Sequence, residues 1–166
     1  AATNFARPAP RDSLGTMSQK PPPSKKPGLA EAAIAALNAA LGDFLHARKN
    51  GLAFDMQFVH ENRELVLSEG ANAVARALPE ASGRLVVFVH GLGCTESVWD
   101  YVNDRDVSYG TELQRDTGRT PLFVRFNSGR HISDNGEAFA ERLEALVKAY
   151  PVPIECIDLV GHSMGG

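Results

Sequence analysis

Three apolar runs constrain this chain more than any other feature. Leu85, Val86, Val87, Phe88 and Val89 follow one another without a polar residue, as in a strand covered on both faces by helices. The segments Leu122 through Phe126 and Ile154 through Val160 obey the same logic. Between the first two, a weak helix carries Tyr109 and Leu113 and stops at Gly118 and Pro121. Between the last two, a stronger helix places Phe139, Leu143, Leu146, Val147 and Tyr150 on one face, with Asp134 and Glu137 as its capping pair and Pro151 and Pro153 beyond its end. Strands alternating with single helices at these lengths predict right-handed crossovers, hence an α/β fold with a mostly parallel sheet and helices on both faces.

The segment before this region reads differently. Residues 1–28 hold six of the ten prolines and a basic excess, with almost nothing large to bury, so a disordered tail is expected there. From Leu29, Ile34, Leu37, Leu41 and Phe44 recur at helical spacing and predict one amphipathic helix ending near Asn50. Phe54, Met56 and Phe58, then Leu65 and Leu67, alternate with polar residues around Glu61 and Asn62, which predicts an N-terminal antiparallel hairpin. A short helix through Val74 and Leu78 ends before Pro79.

With 166 residues, 43% of them hydrophobic, the chain can build one domain, 29–166, and not two. A formal charge of −3 gives no concentrated basic surface for nucleic acid. Leu85 to Val89, the densest apolar run, is far shorter than the roughly 20 residues of a membrane span. No apolar leader precedes the domain, so the cytoplasm is the expected compartment. Cys94 and Cys156 stand in no Cys-x-x-Cys arrangement, and are expected as reduced, packed thiols rather than a zinc or disulfide framework.

The chemistry sits after the last strand, in Gly161, His162, Ser163, Met164, Gly165 and Gly166. Gly-x-Ser-x-Gly directly after a buried strand predicts a sharp strand-to-helix turn that lifts the Ser163 hydroxyl above the carboxyl edge of the sheet. Side chains at Gly161 and Gly165 would collide with the neighbouring strand and helix. The strand Leu85 to Val89 ends in His90, Gly91, Leu92 and Gly93. If Ser163 attacks a carbonyl, the oxygen becomes negative and needs fixed donors. Such an oxyanion hole takes one backbone amide from the residue after the serine, Met164, and one from the earlier loop, Leu92, with Gly91 and Gly93 allowing close approach. This acyl-transfer chemistry requires no cofactor and no metal.

Together, Leu85 to Gly93, Val124 to Gly136 and the elbow Val160 to Gly166 resemble a bacterial esterase/lipase-like family of the α/β-hydrolase superfamily, similar to the GPI inositol-deacylase type. The resemblance spans about Leu29 to Gly166. It implies the N-terminal part of an α/β-hydrolase fold, and hydrolysis of small-molecule or lipid carboxylic esters. It leaves acyl-chain length and oligomeric state open.

In that fold the triad runs serine, acid, histidine along the chain, yet Ser163 is followed by three residues. The acid and base are therefore expected beyond this sequence, and the 166-residue polypeptide alone is expected to be unstable and to lack measurable esterase turnover. His162 is expected to point away from the serine. His90 and His131 each have two readings, lining a pocket or satisfying a loop carbonyl. His46 and His60 read as surface or packing residues. Asn127, Ser128 and Arg130 stand either at the substrate edge of the sheet or in a turn before the next helix. Trp99 reads as acyl pocket or as packing. Two other functions share these residues: an acyltransferase using the same elbow, and a non-catalytic hydrolase-fold scaffold for binding.

Overall fold

The computed structural model describes residues 55–101 and 104–166, together with residue 33. The expected tail, Phe54, His46 and, apart from Ala33, the helix from Leu29 lie outside them. Within them, a mixed five-stranded sheet runs in the order β2-β1-β6-β3-β7. Its strands are β1 (Gln57–His60), β2 (Arg63–Glu64), β3 (Arg84–Val89), β6 (Thr120–Arg125) and β7 (Cys156–Gly161). β3 lies between β6 and β7 and pairs in parallel with both, setting Val87 opposite Leu122 and Leu159. β1 joins β6 antiparallel and carries β2 on its other side.

Among residues 55–101 and 104–166, three α-helices divide between the two faces. Leu85 and Val87 of β3 and Leu122 and Val124 of β6 share a core with Val74 and Leu78 at α1 (Ala71–Ala77), and with Leu146 and Ala149 of α3 (Ile132–Ala149). Alternation turns Val86 and Phe88 to the opposite face, where Phe88 stacks on Phe123 with centroids 5.1 Å apart and meets Trp99 at a tilt, 5.0 Å away. There α2 (Tyr109–Thr117) lies so close that a side chain at Gly110 would come within 2.6 Å of the Phe123 ring. No helix of the described residues is long and apolar enough to cross a membrane. Cys94 and Cys156 are free and half-buried.

Several local expectations are corrected. The arm through Leu65 and Leu67 is cut short: β2 covers Arg63–Glu64, and Leu67 already opens a 3-10 turn ending at Gly70. Glu61 and Asn62 both take left-handed backbone, as a tight hairpin turn demands. α3 begins at Ile132 with His131 as N-cap and no side-chain cap, so Asp134 and Glu137 are not its capping pair. The reason lies in the preceding turn, where Arg130 N–H donates to the Asn127 carbonyl and Gly129 N–H to Asn127 Oδ1. The chain leaves that turn through an extended His131, with ψ at 140°, and becomes helical only at Ile132. Asp134 instead sits in the first turn, where its charge meets the positive helix end, and pairs with Arg130 at 3.7 Å. A second, two-stranded sheet of β4 (Asp100–Tyr101) and β5 (Asp104–Ser108) precedes α2, which opens on a Ser108–Thr111 capping box. Neither is evident from apolar spacing.

Candidate active site

β3 and β7 run side by side in the same direction, so the segments following Val89 and Gly161 emerge at one edge of the sheet. After Gly161 the chain bends through His162 into a single 3-10 turn, Ser163–Gly165. Ser163 is exposed and holds φ at +56°, a left-handed conformation costly for a residue with a Cβ. The bend is fixed by His162 N–H donating to the Val89 carbonyl at 2.9 Å, and by Gly165 N–H donating to the His162 carbonyl at 3.0 Å.

The two glycine-containing segments touch. A Cβ on Gly91 would stand 2.9 Å from Ser163 Cβ, and one on Gly165 would stand 2.4 Å from the Val89 carbonyl oxygen. One on Gly161 would meet the Gly165 carbonyl oxygen at 2.6 Å. Space, rather than backbone freedom, therefore demands glycine at these three positions. Gly93 differs, with φ at +70°. Among the described residues, no hydrogen bond uses the amide of Leu92 or of Met164. Both donors remain open beside the serine, and Leu92 is largely exposed.

His90 is fully buried. Its Nδ1 lies 2.9 Å from the Gly91 carbonyl, and its ring stacks on Phe126 with centroids 4.3 Å apart. A carbonyl can only accept, so Nδ1 carries the proton and Nε2 is a bare acceptor. That Nε2 is buried without a partner. Burial pushes the His90 pKa below its ordinary value, the bond to Gly91 partly offsets this, and the positive charges of Arg125 and His162 push it down further. A group with a lowered folded pKa binds fewer protons folded than unfolded, so stability is lost as pH falls below the unfolded value of 6.5. We expect the urea midpoint to drop between pH 7.5 and 5.5, and to drop less in His90→Phe; equal slopes would assign the effect to other groups.

Asn127 and Ser128 are both buried rather than presented at the sheet edge. Ser128 Oγ accepts from Gly93 N–H at 3.0 Å, and Asn135 Nδ2 donates to the Asn127 carbonyl at 3.0 Å. Of their two readings, the structure supplies the turn. Trp99 packs on Phe88 and presents an edge contact to His162, 6.2 Å between centroids. His131 is exposed at the start of α3, and His60 Nδ1 bonds the Pro121 carbonyl. Spacing gave no sign of the Glu96–Arg125 ion pair, 29 residues apart, in which Arg125 Nε and Nη2 meet the two carboxylate oxygens of Glu96. An apolar cleft of about 260 Å³, walled by Met56, Phe126, Ile132, Phe139, Leu159 and Met164, lies between α3 and the elbow. Among the described residues, no three histidine, cysteine or carboxylate side chains gather as a metal site. Comparison with family models, with curated proteins and with solved structures returns no match.

Proposed function

We propose that Ser163 is the nucleophile of a serine hydrolase of the α/β-hydrolase fold, acting on carboxylic esters through an acyl-enzyme. One observation carries this reading. An exposed serine held at φ +56° stands against a loop whose Leu92 amide, like that of Met164, has no partner among the described residues. Strain of this kind persists where function requires it.

In the first step Ser163 Oγ bonds to the ester carbonyl carbon while its proton passes to a base, and the carbonyl π electrons move onto oxygen. The amides of Leu92 and Met164 meet that charge. Collapse expels the alcohol, which takes the proton from the base. Water then repeats the sequence on the acyl-enzyme and releases the acid. Among the described residues no imidazole hydrogen-bonds the Ser163 hydroxyl. In this reading the base is a histidine later in chain order, oriented by an acid between the two.

A fluorophosphonate probe, applied to the protein expressed from its complete reading frame, is expected to label Ser163. Ser163→Ala should abolish both the label and hydrolysis of p-nitrophenyl butyrate, with the thermal midpoint nearly unchanged. A label that persists in Ser163→Ala, or none in the parent, refutes the proposal.

A further inference from the structure

We propose that His90 is a positioning residue for the oxyanion hole, its Nδ1–H holding the Gly91 carbonyl so that the Leu92 amide faces the reacting oxygen. This rests on the hydrolase reading above.

The argument begins with one peptide plane. In a trans peptide the C=O and N–H point in opposite directions, and no peptide bond described here is cis. The Leu92 N–H belongs to the same plane as the Gly91 C=O. Whatever binds that carbonyl therefore aims the amide the other way. Two donors bind it: His90 Nδ1 at 2.9 Å and Cys94 N–H at 3.3 Å. The next plane, Leu92–Gly93, is held by Ser128 Oγ at 3.0 Å.

Such pins are required because of Gly91. The contact with Ser163 leaves no room for a Cβ there, and a residue without a Cβ turns its peptide freely. The same glycine that admits the serine would let the amide swing away. The imidazole is itself immobilised by full burial and by its stack on Phe126, and it retains this place although its Nε2 has no partner. A buried acceptor without a donor costs free energy, so the site keeps a histidine where an apolar ring would fill the same space.

The test uses the protein from its complete reading frame, with His90→Phe and His90→Asn. Phenylalanine keeps the stack and removes the donor, while the asparagine amide can place a donor near the Nδ1 position. Full loss of one oxyanion donor lowers turnover about 10²- to 10³-fold. With Cys94 N–H still in place, His90→Phe is expected to lower kcat about 10- to 100-fold, with KM within about twofold. Affinity for a trifluoromethyl ketone, which mimics the tetrahedral adduct, should fall by the same factor. His90→Asn should recover most of both. In ¹⁵N relaxation dispersion, exchange should appear at the Leu92 amide in His90→Phe and be absent in the parent.

Unchanged kcat in a folded His90→Phe overturns the assignment. So does a loss that tracks the thermal midpoint and is not recovered by asparagine, which would show only a packing role. If exchange appears at Leu92 but the parent is never labelled at Ser163, the pin exists and the hydrolase reading has failed. No hole then remains for His90 to serve.

Discussion

Replacing Gly165 with alanine is expected to destabilise the protein by about 3 kcal/mol, at the upper end of what overpacking costs, and to remove fluorophosphonate labelling. The added Cβ would lie 2.4 Å from the Val89 carbonyl oxygen and 2.5 Å from that of His90. Both are backbone atoms where β3 ends between its two parallel neighbours, and the Val89 oxygen already accepts from His162 N–H. Neither can yield without moving β3, whose Leu85, Val86 and Val87 are fully buried. The elbow must move instead, carrying the Met164 amide and the Ser163 hydroxyl away from the Leu92 loop. Gly136→Ala provides the control. That glycine lies within α3 with nothing inside 4 Å of the added atom, so alanine should stabilise by about 0.5 to 1 kcal/mol. Urea unfolding of both variants measures the difference. Equal effects at the two positions would mean that the elbow is not packed against β3.

The reach and the limits of the sequence are clearest around these two segments. Strands β3 and β6 are legible because a strand covered on both faces must be apolar at successive positions; the apolar run predicts the same cover for β7, but it forms an edge of the described sheet with Asp158 and Leu159 exposed. Their ends at Val89, Arg125 and Gly161 fall within a residue or so of the apolar runs. The need for glycine at 161 and 165 is also readable, since it follows from packing a turn against its own strand. What escapes is contact between residues far apart in the chain. Asn127 and Ser128 carry polar atoms at the carboxyl end of a strand, which suits substrate contact and loop anchoring equally; only coordinates show Ser128 occupied by Gly93. His90 is likewise ambiguous until the Gly91 carbonyl is seen beneath it. The start of α3 is not legible because Asp134 looks like a cap, whereas the turn at Asn127 leads into an extended His131 and the helix opens at Ile132 without a side-chain cap.

Arg125→Met is expected to cost about 3 kcal/mol, the lower end of the range for breaking a buried pair by removing one partner. The low end applies because the Arg125 side chain is 26% exposed, while that of Glu96 is 8% exposed. The loss comes from what stays behind. Glu96 would keep its negative charge in a largely dry position without the guanidinium fork that meets both its oxygens. Adding Glu96→Leu to Arg125→Met should therefore recover most of the stability, since replacing both ions with apolar groups is often neutral. A single-variant cost below about 1 kcal/mol would place the pair among solvated surface bridges. The same arginine has a second consequence. Its charge is one of the influences lowering the His90 pKa, so its removal brings the folded value closer to the unfolded one. The acid-induced loss of stability assigned to His90 should then shrink in Arg125→Met, even though the variant is weaker at neutral pH. Arg125 to Glu96, Phe126 to His90 and Ser128 to Gly93 are three contacts from one stretch of β6 and its exit to the loop after β3. Loosening the first should therefore be felt at Leu92, as lower kcat at nearly constant KM.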